Sequence, residues 1–194
     1  MQRPKLEPLE VTCSRSDCDN ELHCFRKSRR ESSFAPGQCQ SCGADLIDWP
    51  RIQKRDLGDV QNTFESLRKE WIRHEYWHRQ LDQRAINYAK RKGRIALYTA
   101  LESRIRKSVG ARTARDGRQT PWEGSPLYYA QHATACCCRR CMQYWHGLPA
   151  ESVLTEGDVN YFVELCKKYL NERLPDLADA GIRVPPIRKR MFPR

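Results

Sequence analysis

The chain has 194 residues, 35 Lys or Arg against 24 Asp or Glu, and a formal net charge of +11. That length can bury a real core without help from metal, and 30% charged residues argue against a membrane protein. No apolar run approaches the ~18 residues of a membrane-spanning helix.

The opening residues MQRPKLEPLE lack the apolar centre of a secretory signal, so a cytoplasmic location and no membrane partner are expected. In that compartment ten cysteines read as ligands, catalysts or core fillers before disulfides. The positive charge is concentrated. Residues 51–118 carry eighteen Lys or Arg against eight Asp or Glu, whereas residues 1–50 carry seven against eight. Such a cluster is the electrostatic signature of a polyanion partner, although a solvated helical face has the same composition.

Residues 1–50 read as a zinc ribbon or knuckle. Cys13-x4-Cys18 and Cys39-x2-Cys42 are two short-spaced pairs, and zinc takes four ligands in a tetrahedron. Gly43 lets the backbone turn so that its amides face the sulfurs. His23 and Cys24 lie between the pairs. Cys24 is the rival to Cys18, but packing inside as a small apolar residue suits it better.

Residues 51–182 read as a mainly α-helical domain clipped by a second metal. Val60, Phe64, Leu67, Trp71, His74, His78 and Leu81 form a helical stripe, with Asp59 as its N-cap. A second helix is expected from Asp82, with Ile86, Ala89, Gly93, Leu97, Leu101, Ile105 and Val109 facing inward. Arg91, Lys92, Arg94, Arg104, Arg106 and Lys107 on this helix are the candidate phosphate contacts. Thr155 and Asp158 have the spacing of a capping box opening a further helix. Residues 183–194 are a basic, Pro-rich tail, read as extended.

Between these helices lies HATACCCRRCMQYWHG, residues 132–147. His132, Cys138, Cys141 and His146 supply four ligands of the types zinc prefers, so two zinc ions are expected in all. Cys137 is a fifth candidate. Cys138 is preferred to it because CxxC is the commoner spacing, and both can point inward with Cys141 only if a helix starts there. A reactive thiol beside Arg139 and Arg140, or an iron–sulfur cluster that would also draw on Cys136, are the other readings.

Residues 116–170, with His132, Cys137, Cys138, Arg139, Cys141, Trp145, His146 and Gly147 in the pattern HATAxCCRxCxxxWHG, resemble a family of bacterial proteins known only as a domain of unknown function. The resemblance implies a bacterial cytosolic protein and supplies no activity. Cys136 stands where the family has a small hydroxyl residue, which argues against it as a ligand.

His74-Glu75-Tyr76-Trp77-His78 spells HExxH, in which two histidines on one helical face hold zinc and the glutamate activates water. Arg79 and Gln80 follow where such a helix stays apolar, and core histidines or structural ligands are the competing readings. Three functions follow. The first is a zinc protein that binds nucleic acid through its basic helix. The second is a zinc-dependent hydrolase or nucleic-acid-processing enzyme using His74, Glu75 and His78 or the 132–146 cluster. The third is a zinc-held interaction module that meets an acidic protein.

Overall fold

Residues 13–26, 34–111 and 117–185 of the computed structural model are described here, and among them the regular structure is helical. The helices are α1 (Trp49–Gln53), α2 (Val60–Leu67), α3 (Trp71–His78), α4 (Gln83–Val109), α5 (Pro126–Ala133), α6 (Arg139–His146) and α7 (Glu156–Arg173). Only isolated bridges stand in for strands, Asp17 with Leu22 and His23 with Glu70. Most of the tail, residues 186–194, and much of the basic stretch between the N-terminal cysteine pairs lie outside the described residues.

Helix α7 is central. Val159, Phe162, Cys166 and Tyr169 are buried, and so are Tyr161 and Leu165 on its other side. α2, α4 and α5 pack around it, α3 lies on α5, and α1 on α6. Thr155 and Asp158 open α7 with the expected capping box. Asp82 opens α4 by accepting the amides of Arg84 and Ala85. The inward row of α4 from Ala89 to Val109 is buried as its spacing predicts, whereas Ile86 is only half-buried and Ala85 takes the inward place in the first turn.

The stripe over residues 59–81 is broken. Glu70 has extended backbone (φ −91°, ψ 127°) and separates α2 from α3. The cause is tertiary. His23 N donates to Lys69 O at 2.8 Å and Trp71 N donates to His23 O at 2.9 Å, so the N-terminal segment takes the backbone groups that a continuous helix would use. The break rotates the buried face. Ile72, Tyr76 and Trp77 go inward, and His78 is exposed. Asp59 does not cap α2; its carboxylate pairs with Arg51 instead.

α4 contains a second surprise. Gly93 adopts φ +69°, and a Cβ there would fall 2.4 Å from the Ala180 carbonyl carbon. The chain after α7 lies in this kink, with Arg94 N donating to Ala178 O and Ile182 N to Lys90 O. Phe25, Cys39 and Ile47 from the N-terminal segment join the same buried cluster as the helices. Phe25 meets Trp49 and Trp145 edge-on.

Candidate metal centres and a basic groove

The first centre comes from turns. Cys18, His23, Cys39 and Cys42 place their ligand atoms within 4.8 Å of one another. Cys18 Sγ lies 3.7 Å from Cys39 Sγ, and Cys42 Sγ 3.5 Å from His23 Nδ1. Four ligands at ~2.3 Å from a tetrahedral ion stand about 3.8 Å apart, so this group fits one zinc-sized ion. Gly43 (φ +78°) closes the CxxC turn, and its N–H bonds Cys39 O. Burial opposes a thiolate at Cys39, yet the backbone amides of Ser41, Cys24 and Cys42, with His23, outweigh it and bring its pKa down to about 6. A lowered thiol pKa is the direction that suits a metal ligand.

His23 therefore stands where Cys13 was expected. The backbone pairing of His23 with residues 69–71 aims its ring at the cysteines, a long-range contact that spacing does not carry. Cys24 is buried, its thiol donating to the carbonyls of Cys13 and Arg26.

The second centre forms where α6 begins. Cys137, Cys138 and Cys141 are buried with their sulfurs within 4.8 Å of one another. Cys138 is extended (φ −158°, ψ 162°) and α6 starts at Arg139, the condition under which both Cys137 and Cys138 reach Cys141. Arg73 from α3 reaches in from below. Its guanidinium donates to Cys141 Sγ at 3.3 Å and to His132 O at 2.6 Å. Glu70 holds it there, accepting from Arg73 Nε at 2.8 Å and from Trp145 Nε1 at 2.6 Å. Hydrogen bonds from neighbouring thiols, with Arg73 assisting against burial, hold Cys141 well below the usual thiol range.

The two histidines expected as ligands here are placed otherwise. His146 is a core residue: Nε2 meets Thr134 O at 3.1 Å and Nδ1 meets Tyr161 OH at 3.3 Å. Burial lowers its pKa to about 3. His132 is stacked between Tyr76 and Trp122 at 4.6 Å from each, with Nε2 on Pro121 O. It stands on the wall of the sulfur pocket, outside the close group. Cys136 points elsewhere, its Sγ 3.3 Å from Cys166 Sγ inside the core.

Of HEYWH, Tyr76 and Trp77 face the core, and His74, Glu75 and His78 lie on the more exposed side of α3. The rings of His74 and His78 approach to 4.0 Å, His78 Nδ1 contacts His74 O, and Glu75 pairs with Arg79. Among the described residues this trio is not one of the His/Cys/Asp/Glu groups that converge on a shared point. The rotation at Glu70 has also taken His78 out of the core that its stripe predicted.

An open groove of about 720 Å³ runs between α4 and the start of α5, lined by Tyr88, Lys92, Arg104, Lys107 and Tyr128 with apolar residues between them. Lys92 sits over Tyr88, and the Arg104 guanidinium lies 4.8 Å from the Tyr128 ring centre. Arg91, Lys92 and Lys107 are exposed. Three other candidate cations are used within the fold. Arg94 binds the carbonyls of Leu174, Pro175 and Leu177. Arg106 pairs with Glu102 and Glu156. Arg104 donates to Gln119 O while still facing the groove. No described helix is long and apolar enough to cross a membrane.

No solved structure matches the chain. Residues 61–171, from α2 into the last turn of α7, match the family described as a domain of unknown function (DUF4186). The match includes the Cys137–Cys141 cluster and the groove and begins after the N-terminal cysteines, and since it spans more than half of the chain, the protein belongs to that family.

Proposed function

We propose that the protein is a zinc-stabilised helical module that binds nucleic acid in the groove between α4 and α5. The carrying observation is the pairing of cations with aromatic faces there: Lys92 with Tyr88, Arg104 with Tyr128, and Lys107 beside them. Cations along a groove neutralise phosphates and release counterions, while tyrosines offer faces on which bases stack. Zinc is the ion favoured by the donor set, since sulfur and imidazole atoms spaced for one tetrahedral ion suit it better than oxygen-seeking cations. Its role is structural, because it holds the segments that frame the helices.

The test is binding of single-stranded oligonucleotides by fluorescence anisotropy across a salt series. Each phosphate contact contributes about 0.7 to the slope of log K against log salt for single strands. Lys92→Glu with Lys107→Glu should lower the slope by roughly 1.4 or more, which shrinks the change in affinity between 50 and 200 mM salt by about sevenfold. Binding that ignores salt, or a double variant that binds like the parent, would refute the groove. Capture of an acidic peptide with no nucleic-acid binding would transfer the same surface to a protein partner.

A further inference from the structure

We infer that Cys13 joins Cys137, Cys138 and Cys141 as the fourth thiolate of the second centre, so that one metal ion staples the N-terminal segment to the start of α6. The inference rests on the metal reading above and goes beyond it in naming the ligand set and what it ties together. Three buried sulfurs within 4.8 Å leave a tetrahedral ion one ligand short. Cys13 lines the same pocket as those three, just outside their close group, and Cys141 is the neighbour that acts on its thiol most strongly, so a small inward shift of its side chain completes the tetrahedron. It is held there by the Cys24 thiol on its carbonyl and, further along, by the pairing of His23 with residues 69–71.

The surroundings suit four sulfurs. A divalent ion with four thiolates carries excess negative charge, and two guanidinium groups lie against it. Arg73 donates to Cys141, and Arg26 lines the same pocket as Cys13. Close spacing of the sulfurs also favours one ion over a cubane iron–sulfur cluster, which puts each thiolate on a different iron and so spreads them. His132 is the rival. Its Nε2 is fixed on Pro121 O and its Nδ1 has no hydrogen-bond partner, but its ring is stacked between Tyr76 and Trp122, which holds it outside the close group. His146 is committed to Thr134 and Tyr161.

The experiment measures metal content, resistance to a chelator and the cobalt-substituted spectrum of the full chain, with Cys13→Ser, Cys13→His, Cys24→Ser and His132→Ala variants. The parent should hold two ions. Cys13→Ser should lose one, or release it to the chelator at least ~10-fold more readily, while the Cys18 centre stays loaded and reports a folded N-terminal segment. Cys13→His should restore the ion with weaker sulfur-to-cobalt absorption, and Cys24→Ser and His132→Ala should keep both ions. If Cys13→Ser keeps two ions with parental resistance and spectrum, the ligand assignment is overturned and the metal reading survives. If His132→Ala loses the ion instead, His132 is the ligand. A parent chain that never takes a second ion would overturn both.

Discussion

Glu70 and Arg73 form an ion pair whose side chains are only 2% and 1% exposed. Glu70→Leu removes the carboxylate and leaves the Arg73 guanidinium buried, with the Trp145 N–H also unpaired. Breaking a buried pair from one side costs about 3–5 kcal/mol. The Cys141 thiolate still faces Arg73 at 3.3 Å, which places the expected loss near the lower end, about 3 kcal/mol. For a chain of this length that is a fall in Tm of roughly 10 °C. Glu70→Leu with Arg73→Met should recover part of the loss by removing the stranded charge, though it leaves His132 O without its donor. The assay is urea unfolding followed by tryptophan fluorescence at fixed metal load. A single-variant loss below about 1 kcal/mol would mean that the pair is hydrated, and equal losses in the single and double variants would show that the stranded charge is not the cause.

Other outcomes follow from particular residues. Burial holds His146 neutral with a pKa of about 3, below its unfolded value, so its stabilising contribution is complete above pH ~6.5 and is lost as pH falls towards 3. His146→Gln should therefore flatten the loss of stability between pH 6.5 and 4.5 by about 1.4 kcal/mol per pH unit relative to the parent, read from urea midpoints, and parallel pH profiles would refute it. Gly93→Ala places a Cβ against Ala180 at φ +69° and should cost at least about 1 kcal/mol, with faster hydrogen exchange at the amides of Arg94 and Ile182. Thr155→Ala removes the capping box of α7 and should cost about 1 kcal/mol, visible as a lower Tm. His74→Ala and Glu75→Gln should leave metal content unchanged by elemental analysis, since their trio belongs to neither converging group.

Features set by neighbours in sequence were legible. Asp82 and Thr155 as helix starts, the inward row of α4 and the crowding of sulfur at 137–141 need only local periodicity, capping and ligand chemistry. The break at Glu70 was not, because Leu67 and Trp71 continue the helical spacing and the interruption comes from His23, 47 positions away by the numbering. The same blindness affected the ligands. Cys13 is close to Cys18 in sequence, but it lines the pocket of Cys141 and is absent from the first centre, and His146 resembles a ligand until Tyr161 and Thr134 are seen to occupy its ring. Arg94 and Arg106 looked free for phosphate because the carbonyls of residues 174–177 and the carboxylate of Glu156 that engage them belong to distant parts of the chain.

His23 does two jobs at once. Its ring belongs to the first centre, and its backbone fixes the junction at Glu70, whose carboxylate steadies Arg73 against the sulfurs of the second. Ions bound at the two ends of that relay would not be independent. Filling one restrains the backbone that shapes the other, and thermodynamic linkage makes the benefit mutual. Loading one centre is then expected to raise the affinity of the other, so that a chain emptied at the second centre keeps the ion of the first but yields it to a chelator more readily than the parent does.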